Sequence, residues 1–294
     1  MHRFTANSDW EKLAGEYSQW LPMLKPYGDE LISRSNVQPG MRVLDVACGT
    51  GEPGLTIAIK QPAAQVIGCD KAHAMAHAAD AARRAEELFN LHFVVASGQR
   101  LPFANNRFDR VICRFGLMLF DNSGAGLQEI FRVTKPGGTI ALSVWSEPER
   151  VLCPSLTLNV LERHTKVEWP RTFALAEPGL LAQMCVAAGF GSVIEETINP
   201  GFIFEHLDHF MAQNLTGRFI EKPYESLSGA EQRQFKDDLA DAATEYTLDD
   251  GRIHLSQEAI LVAATKPDVD EPNVDESGER SSAERSSAER SSEE

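Results

Sequence analysis

The chain has 294 residues, 43% of them hydrophobic and 24% charged, with a formal net charge of −15. That composition supports one sizeable apolar core and excludes a chain too polar to fold. Ten acids against three arginines give residues 267–294 a net −7 and leave −8 for the rest, and neither part has a basic stripe, so nucleic acid and an anionic membrane surface are disfavoured as partners.

The opening MHRFTANSDW holds no apolar signal core, and no apolar run approaches the roughly 20 residues of a membrane helix. The expectation is a cytoplasmic protein with no membrane insertion. Residues 1–40 read as helical: Trp10, Leu13, Ala14, Tyr17 and Trp20-Leu21 recur at helical spacing, and a second helix covers 27–35, before Pro39-Gly40. Short apolar runs then alternate with helix-like segments. Val43-Leu44-Asp45-Val46-Ala47, Val66-Ile67-Gly68-Cys69-Asp70, His92-Phe93-Val94-Val95-Ala96, Arg110-Val111-Ile112-Cys113 and Thr139-Ile140-Ala141-Leu142-Ser143-Val144 read as strands. Segments 55–60, 72–89 and 127–134 read as helices. Such alternation predicts a parallel sheet covered on both faces.

The pattern loosens after residue 150. Two helices are expected in 151–189, a strand in 192–198, helix over 204–248 and a last strand in 259–264. The stretches at about 150–190 and 204–250 are read as helical cap insertions in a core spanning 41–266. Residues 267–294, with ERSSA repeats from Glu279, have nothing to bury and are expected to be disordered. Cys48, Cys69, Cys113, Cys153 and Cys185 are odd in number and form no CxxC pair, which reads as buried, reduced thiols.

The most informative stretch is Leu44-Asp45-Val46-Ala47-Cys48-Gly49-Thr50-Gly51-Glu52-Pro53-Gly54: a strand running into glycines ahead of a helix. Glycine permits a tight turn and close approach of a ligand to the backbone. Asp70 ends the next apolar run, where a carboxylate meets the ribose hydroxyls of an adenosine in a Rossmann-like sheet. Gly49, Gly51 and Gly54 also spell G-x-G-x-x-G, which fits a nicotinamide cofactor. Against that reading, Asp45 inside the strand would repel a pyrophosphate, yet it would orient a cationic amino-acid ligand directly or through water.

At these residues the sequence resembles the class I S-adenosylmethionine-dependent methyltransferases. LDVACGTG is similar to their first motif, and residues 66–70 to their acidic ribose motif. Gly98-Gln99-Arg100-Leu101-Pro102-Phe103 is similar to D-A-x-x-L-P-F, and Arg132-Val133-Thr134-Lys135-Pro136-Gly137-Gly138 to the R-V-L-K-P-G-G turn before strand five. The resemblance covers residues 10–146 well and the last strand loosely, and is nearest to the ubiquinone/menaquinone-biosynthesis type. It implies a Rossmann-like, seven-stranded, mostly parallel sheet, last strand antiparallel, flanked by helices. It implies S-adenosyl-L-methionine as cofactor. Gly49 and Gly51 would flank the methionine part, Asp45 would orient its amino group, Asp70 would hold the ribose, Met75 would pack near the adenine, Gly98 and Gln99 would face it, and Arg114 would lie at the methionine end. Ala47 and Lys71 belong to the same cofactor-binding set. Ser97 stands where the family often has Asp to receive the adenine amino group, and a serine oxygen accepts more weakly.

Methyl transfer needs the nucleophile held in line and water excluded, and no metal is expected. The expected acceptor is a small, fairly apolar molecule methylated on oxygen or carbon; presentation on a carrier protein stays open. A hydroxyl acceptor benefits from a general base, for which His164, His206 and His209 are the candidates, a solvated helix face being the alternative for the last two. Phe115 and Met118 are placed in an acceptor pocket, and Tyr17 and Trp20 over the cofactor, with ordinary packing as the alternative for all four. A nicotinamide-dependent oxidoreductase and a catalytically silent binding protein remain the competing functions.

Overall fold

The computed structural model describes residues 10–215 and 220–268; the expected tail, from residue 269 on, lies outside them. The chain enters through helix α1 (Trp10–Tyr17), a 3-10 turn (Ser18–Trp20) and α2 (Leu21–Ser35). The sequence pattern predicts the second helix from Tyr27. It begins six residues earlier because Pro22 falls in the first turn, where the missing N–H costs nothing, and Pro26 is carried inside the helix. Asn36, left-handed at φ 45°, ends it by donating its N–H to the Ser33 carbonyl.

Five strands with three interleaved helices follow in order: β1 (Arg42–Val46), α3 (Gly54–Lys60), β2 (Gln65–Asp70), α4 (His73–Ala85), β3 (Leu91–Val95), β4 (Phe108–Arg114), α5 (Ser123–Val133) and β5 (Thr134–Trp145). Helix α5 begins at Asn122, whose side chain accepts the Ala125 N–H. Val43, Leu44, Val111, Ile112, Ile140 and Leu142 are wholly buried. These strands read as unbroken apolar runs because helices cover both faces of the sheet.

The late chain departs from the expected helical caps. After α6 (Leu152–Leu161), helix α7 (Leu180–Ala187) packs on β6 (Gly191–Ile198), so it is the crossover helix into that strand and not part of a cap. The stretch read as helix from 204 is preceded by β7 (Phe202–Phe204), which pairs with β8 (Ile253–Leu255) in a separate two-stranded sheet. Alternating burial of Phe202 and Phe204 around exposed Ile203 is the period-2 signal that the helical reading passed over. Between them lie α8 (Leu207–Leu215), α9 (Glu221–Glu225) and α10 (Gly229–Ala243), the last opened by a Ser228/Glu231 capping box.

The final strand, β9 (Ala259–Thr265), inserts between β5 and β6 and runs antiparallel to both. The sheet order is β3-β2-β1-β4-β5-β9-β6. The order reverses at β1, and the crevice beyond the strand ends at such a switch point is where open α/β sheets bind ligands.

Candidate functional site

Where β1 ends, the backbone turns through left-handed conformations at Ala47 (φ 56°), Gly49 (φ 55°) and Gly51 (φ 110°). A Cβ on Gly51 would lie 2.8 Å from Leu55 Cδ1, so the turn sits directly on the first residues of α3. Phe115 at the end of β4 is also left-handed, at φ 56°. Two strained non-glycine residues thus flank one end of the sheet, where such strain concentrates at functional sites.

Asp70 crosses between this turn and α4. Its Oδ2 accepts the Gly49 N–H at 2.9 Å and its Oδ1 accepts the Ala72 N–H at 2.9 Å. Each oxygen keeps a lone pair free. Burial raises the carboxyl above its ordinary range, and the two amide donors oppose that rise.

Asp45 lies deeper. It is wholly buried; Oδ2 accepts the Gly54 N–H at 2.9 Å, while Oδ1 has no hydrogen-bond partner among the described residues. Burial pushes its carboxyl up to about 7; the Gly54 donor and then the nearby Arg114 charge hold it from rising further.

A cavity of about 1370 Å³, counted with its open mouth, spans the ends of β1, β2, β4 and β5. It brings together Tyr17, Trp20, Ala47, Gly49, Asp70, Lys71, Met75, Ser97, Gly98, Gln99, Arg114, Phe115 and Met118 from the sequence-predicted set. Gly98 is pressed against the ring of Phe120, 2.3 Å from where a Cβ would stand, so only backbone fits there. Ser97 Oγ accepts the Gln99 N–H at 3.2 Å, and the Gln99 side-chain oxygen accepts the Asn122 N–H at 2.7 Å. Arg114 is 7% exposed, and among the described residues its side chain makes one hydrogen bond, from Nη1 to the Leu24 carbonyl at 3.4 Å. A buried guanidinium with most of its five donors unspent is a ready anion site.

Other predicted residues fall elsewhere. Asp45 and Gly51 do not line the cavity: Asp45 points under the turn to Gly54, and Gly51 is buried against Leu55. Nor do the three histidines. His164 pairs with Asp238 of α10 at 2.8 Å and packs edge-on against Phe235. His206 Nδ1 accepts the His209 N–H and His209 Nδ1 accepts the Glu205 N–H, so both rings are engaged at the start of α8, away from the cavity. Among the described residues no cluster of His, Cys, Asp and Glu is placed to hold a metal ion, and no helix is long and apolar enough to cross a membrane.

The far half of the cavity was largely invisible in the sequence. Trp145 stacks on Phe115 at 3.9 Å, and Phe202 lies 6.3 Å from both Trp20 and Trp145. Gln213, Asn214 and Gln257 add three carboxamides. Cys153 ties two of them: its Sγ donates to Asn214 Oδ1 at 3.3 Å and its N–H to Gln257 Oε1 at 3.1 Å. Tyr27, whose hydroxyl burial keeps protonated, donates to the Gln257 carbonyl. Phe115 and Met118 are expected in an acceptor pocket and Trp20 over the cofactor from the sequence, and the Phe202–Phe204 alternation is a further local signal; the remaining lining comes from residues far apart in the chain.

A doubly wound sheet with a glycine turn at its switch point, a carboxylate at the end of the second strand and a large covered cavity defines a nucleoside-binding α/β protein. Residues 43–138 match the family described as "Methyltransferase domain". The chain is 30% identical over 197 residues to the demethylmenaquinone methyltransferase of Geobacillus stearothermophilus, covering 61% of this chain and 83% of that one. It is 29% identical over 198 residues to the enzyme of the same name from Geobacillus sp. strain WCH70, covering 62% and 84%. In fold it is similar to Haemonchus contortus phosphoethanolamine N-methyltransferase 2, solved with S-adenosyl-L-methionine (TM-score 0.55, 19% identity, 82% of this chain and 52% of that one). It is also similar in fold to the [4+2]-cyclase SpnF (TM-score 0.57, 18% identity, 90% and 99%). The chain belongs to the class I S-adenosylmethionine-dependent methyltransferases. It is an enzyme of that class, with S-adenosyl-L-methionine as its cofactor, and the nicotinamide alternative is set aside.

Proposed function

We propose that this enzyme methylates oxygen or carbon of a small, largely apolar acceptor, a quinol-like ring being the best fit. The observation that carries it is the two-part cavity: a polar half built on Asp70 and Arg114 opens into a half walled by Trp20, Phe115, Trp145 and Phe202. The Geobacillus relatives are named for a demethylated menaquinone, which agrees with such walls.

The residues present fit the cofactor. Asp70 has a free lone pair on each oxygen for the ribose hydroxyls, and the unspent donors of Arg114 suit the methionine carboxylate. Buried Asp45, with an unpartnered oxygen, provides a negative field beneath the turn for the amino group and the sulfonium. Met75 and the close-packed backbone at Gly98 suit the flat adenine, with Ser97, Gln99 and Lys71 beside them. When bound, S-adenosylmethionine supplies an electrophilic methyl group on sulfur. The chain's part is to fix that end through Arg114 and the Ala47–Gly49 turn, to seat the acceptor against the aromatic wall, and to keep water out. The α1–α2 segment, and α6, α8 and the two-stranded β7–β8 sheet, act as the covers over the two halves.

The test is turnover with radiolabelled S-adenosylmethionine against a panel holding 1,4-naphthalenediol, under reducing conditions, and phosphoethanolamine. Methylation of the diol alone supports the reading; methylation of phosphoethanolamine alone refutes it.

A further inference from the structure

Helix α4 starts without a cap of its own. Its N-cap residue is Ala72, which has no side chain to accept a backbone N–H, and helix starts leave such donors unsatisfied. Three consecutive donors there are taken by two carboxylates from elsewhere. Asp70 accepts the Ala72 N–H; Glu11, on α1, accepts the His73 N–H through Oε1 at 2.7 Å and the Ala74 N–H through Oε2 at 2.9 Å. Bonds from a carboxylate to backbone N–H at a helix start are charge-assisted and favoured by the helix dipole.

Helix α1 lies along α4, with Tyr17 packed partly buried against the core. None of its residues is buried. Its two aromatic side chains, Trp10 and Tyr17, meet edge-to-face at 6.0 Å and both line the cavity; Tyr17 Cε1 stands 3.6 Å from where a Cβ on Gly49 would be. At its other end α1 joins α2 through the Ser18–Trp20 turn, and α2 is anchored by wholly buried Tyr27 and Leu31. This eight-residue flap joins the fold through a turn at one end, and near the other Glu11 grips the start of α4 with both oxygens; it lies beside the glycine turn and the Asp70 edge of the cavity.

We propose that Glu11 is the latch of this flap: it closes α1 over the cofactor by capping α4, and its release opens the path by which cofactor enters and product leaves. The inference rests on the reading that the cavity holds S-adenosylmethionine. Glu11 is a positioning residue and touches no reacting atom. Its partner donors adjoin the one held by Asp70, so the flap and the ribose-side carboxylate share one helix start.

Two measurements test it on the full chain. The first is release of S-adenosylhomocysteine from wild type, Glu11→Ala and Glu11→Gln, followed by stopped-flow displacement with excess S-adenosylmethionine. Glu11→Ala should release at least about tenfold faster with association unslowed, and Glu11→Gln, which keeps one accepting oxygen, should fall between. The second is the rate of tryptic cleavage at Lys12 in the unliganded proteins, which reads the flap without any cofactor; Glu11→Ala should be cut severalfold faster. Release within twofold of wild type, or unchanged cleavage, overturns the latch. Wild type that binds no S-adenosylhomocysteine would refute the cofactor reading, and cleavage at Lys12 would still decide whether Glu11 holds the flap.

Discussion

Replacing Asp45 by asparagine removes a wholly buried negative charge and leaves the side chain's shape almost unchanged. In the unliganded protein burial lifts this carboxyl from the ordinary 3.8 to about 7. A folded-state value above the unfolded one means that the folded protein holds the proton more tightly. Stability is therefore full below about pH 3.8, falls as pH rises toward 7, and is flat beyond. At about 1.4 kcal/mol per unit, the whole fall is about 4 kcal/mol, and the part lying between pH 5 and pH 8 is about 3 kcal/mol. Asparagine imitates the protonated acid and has no such fall. Melting temperatures of both proteins at pH 5 and pH 8 give the comparison. Wild type should lose on the order of 5–10 °C more than Asp45→Asn over that interval, which makes the variant the more stable apo-protein at pH 8. The same change should cost affinity: S-adenosylhomocysteine should bind wild type more tightly at pH 8 than at pH 5, and Asp45→Asn weakly at both. Parallel melting curves for the two proteins would refute the buried-charge reasoning.

Arg114→Met should weaken S-adenosylhomocysteine about tenfold or more and leave 5′-methylthioadenosine, which lacks the carboxylate, within twofold; equal losses for both ligands would remove Arg114 from the methionine end. Gly98→Ala should cost about 1–3 kcal/mol in urea unfolding, because the new methyl would stand 2.3 Å from Phe120 Cζ; wild-type stability would show that the Phe120 ring moves aside freely. His164→Ala, His206→Ala and His209→Ala should each leave kcat with the best acceptor within about twofold, since none lines the cavity, and a tenfold fall in any of them would restore that histidine as a base.

The first five strands were legible in the chain because each is a short apolar run bounded by glycine or a helix, and β1, β4 and β5 are buried on both faces, whereas β3, at the sheet edge, is partly exposed. The antiparallel last strand came through resemblance to the family. The glycine turn and Asp70 were readable for the same reason: a backbone that must turn sharply admits few residue types. Asp45 was noticed in the sequence as a carboxylate near the turn, but its distance from the cavity depends on which way a strand residue points, and Gly54 claims it. His206 and His209 suggested a site by spacing alone, yet the Nδ1 of each ring accepts a backbone N–H at the start of α8, and neither residue lines the cavity. The aromatic wall joins residues 20, 115, 145 and 202, and Glu11 reaches α4 across 62 residues. Contacts of that range leave no local period, so only the folded chain displays them.

Calorimetric titration of wild type and Asp70→Ala with S-adenosylmethionine and S-adenosylhomocysteine tests the site assignment most directly. Micromolar binding by wild type, weakened at least tenfold in Asp70→Ala, a loss of about 1.4 kcal/mol, is the predicted result. Wild-type affinity retained in Asp70→Ala would mean that the ribose lies elsewhere and that this cavity has been read with the wrong residue at its centre.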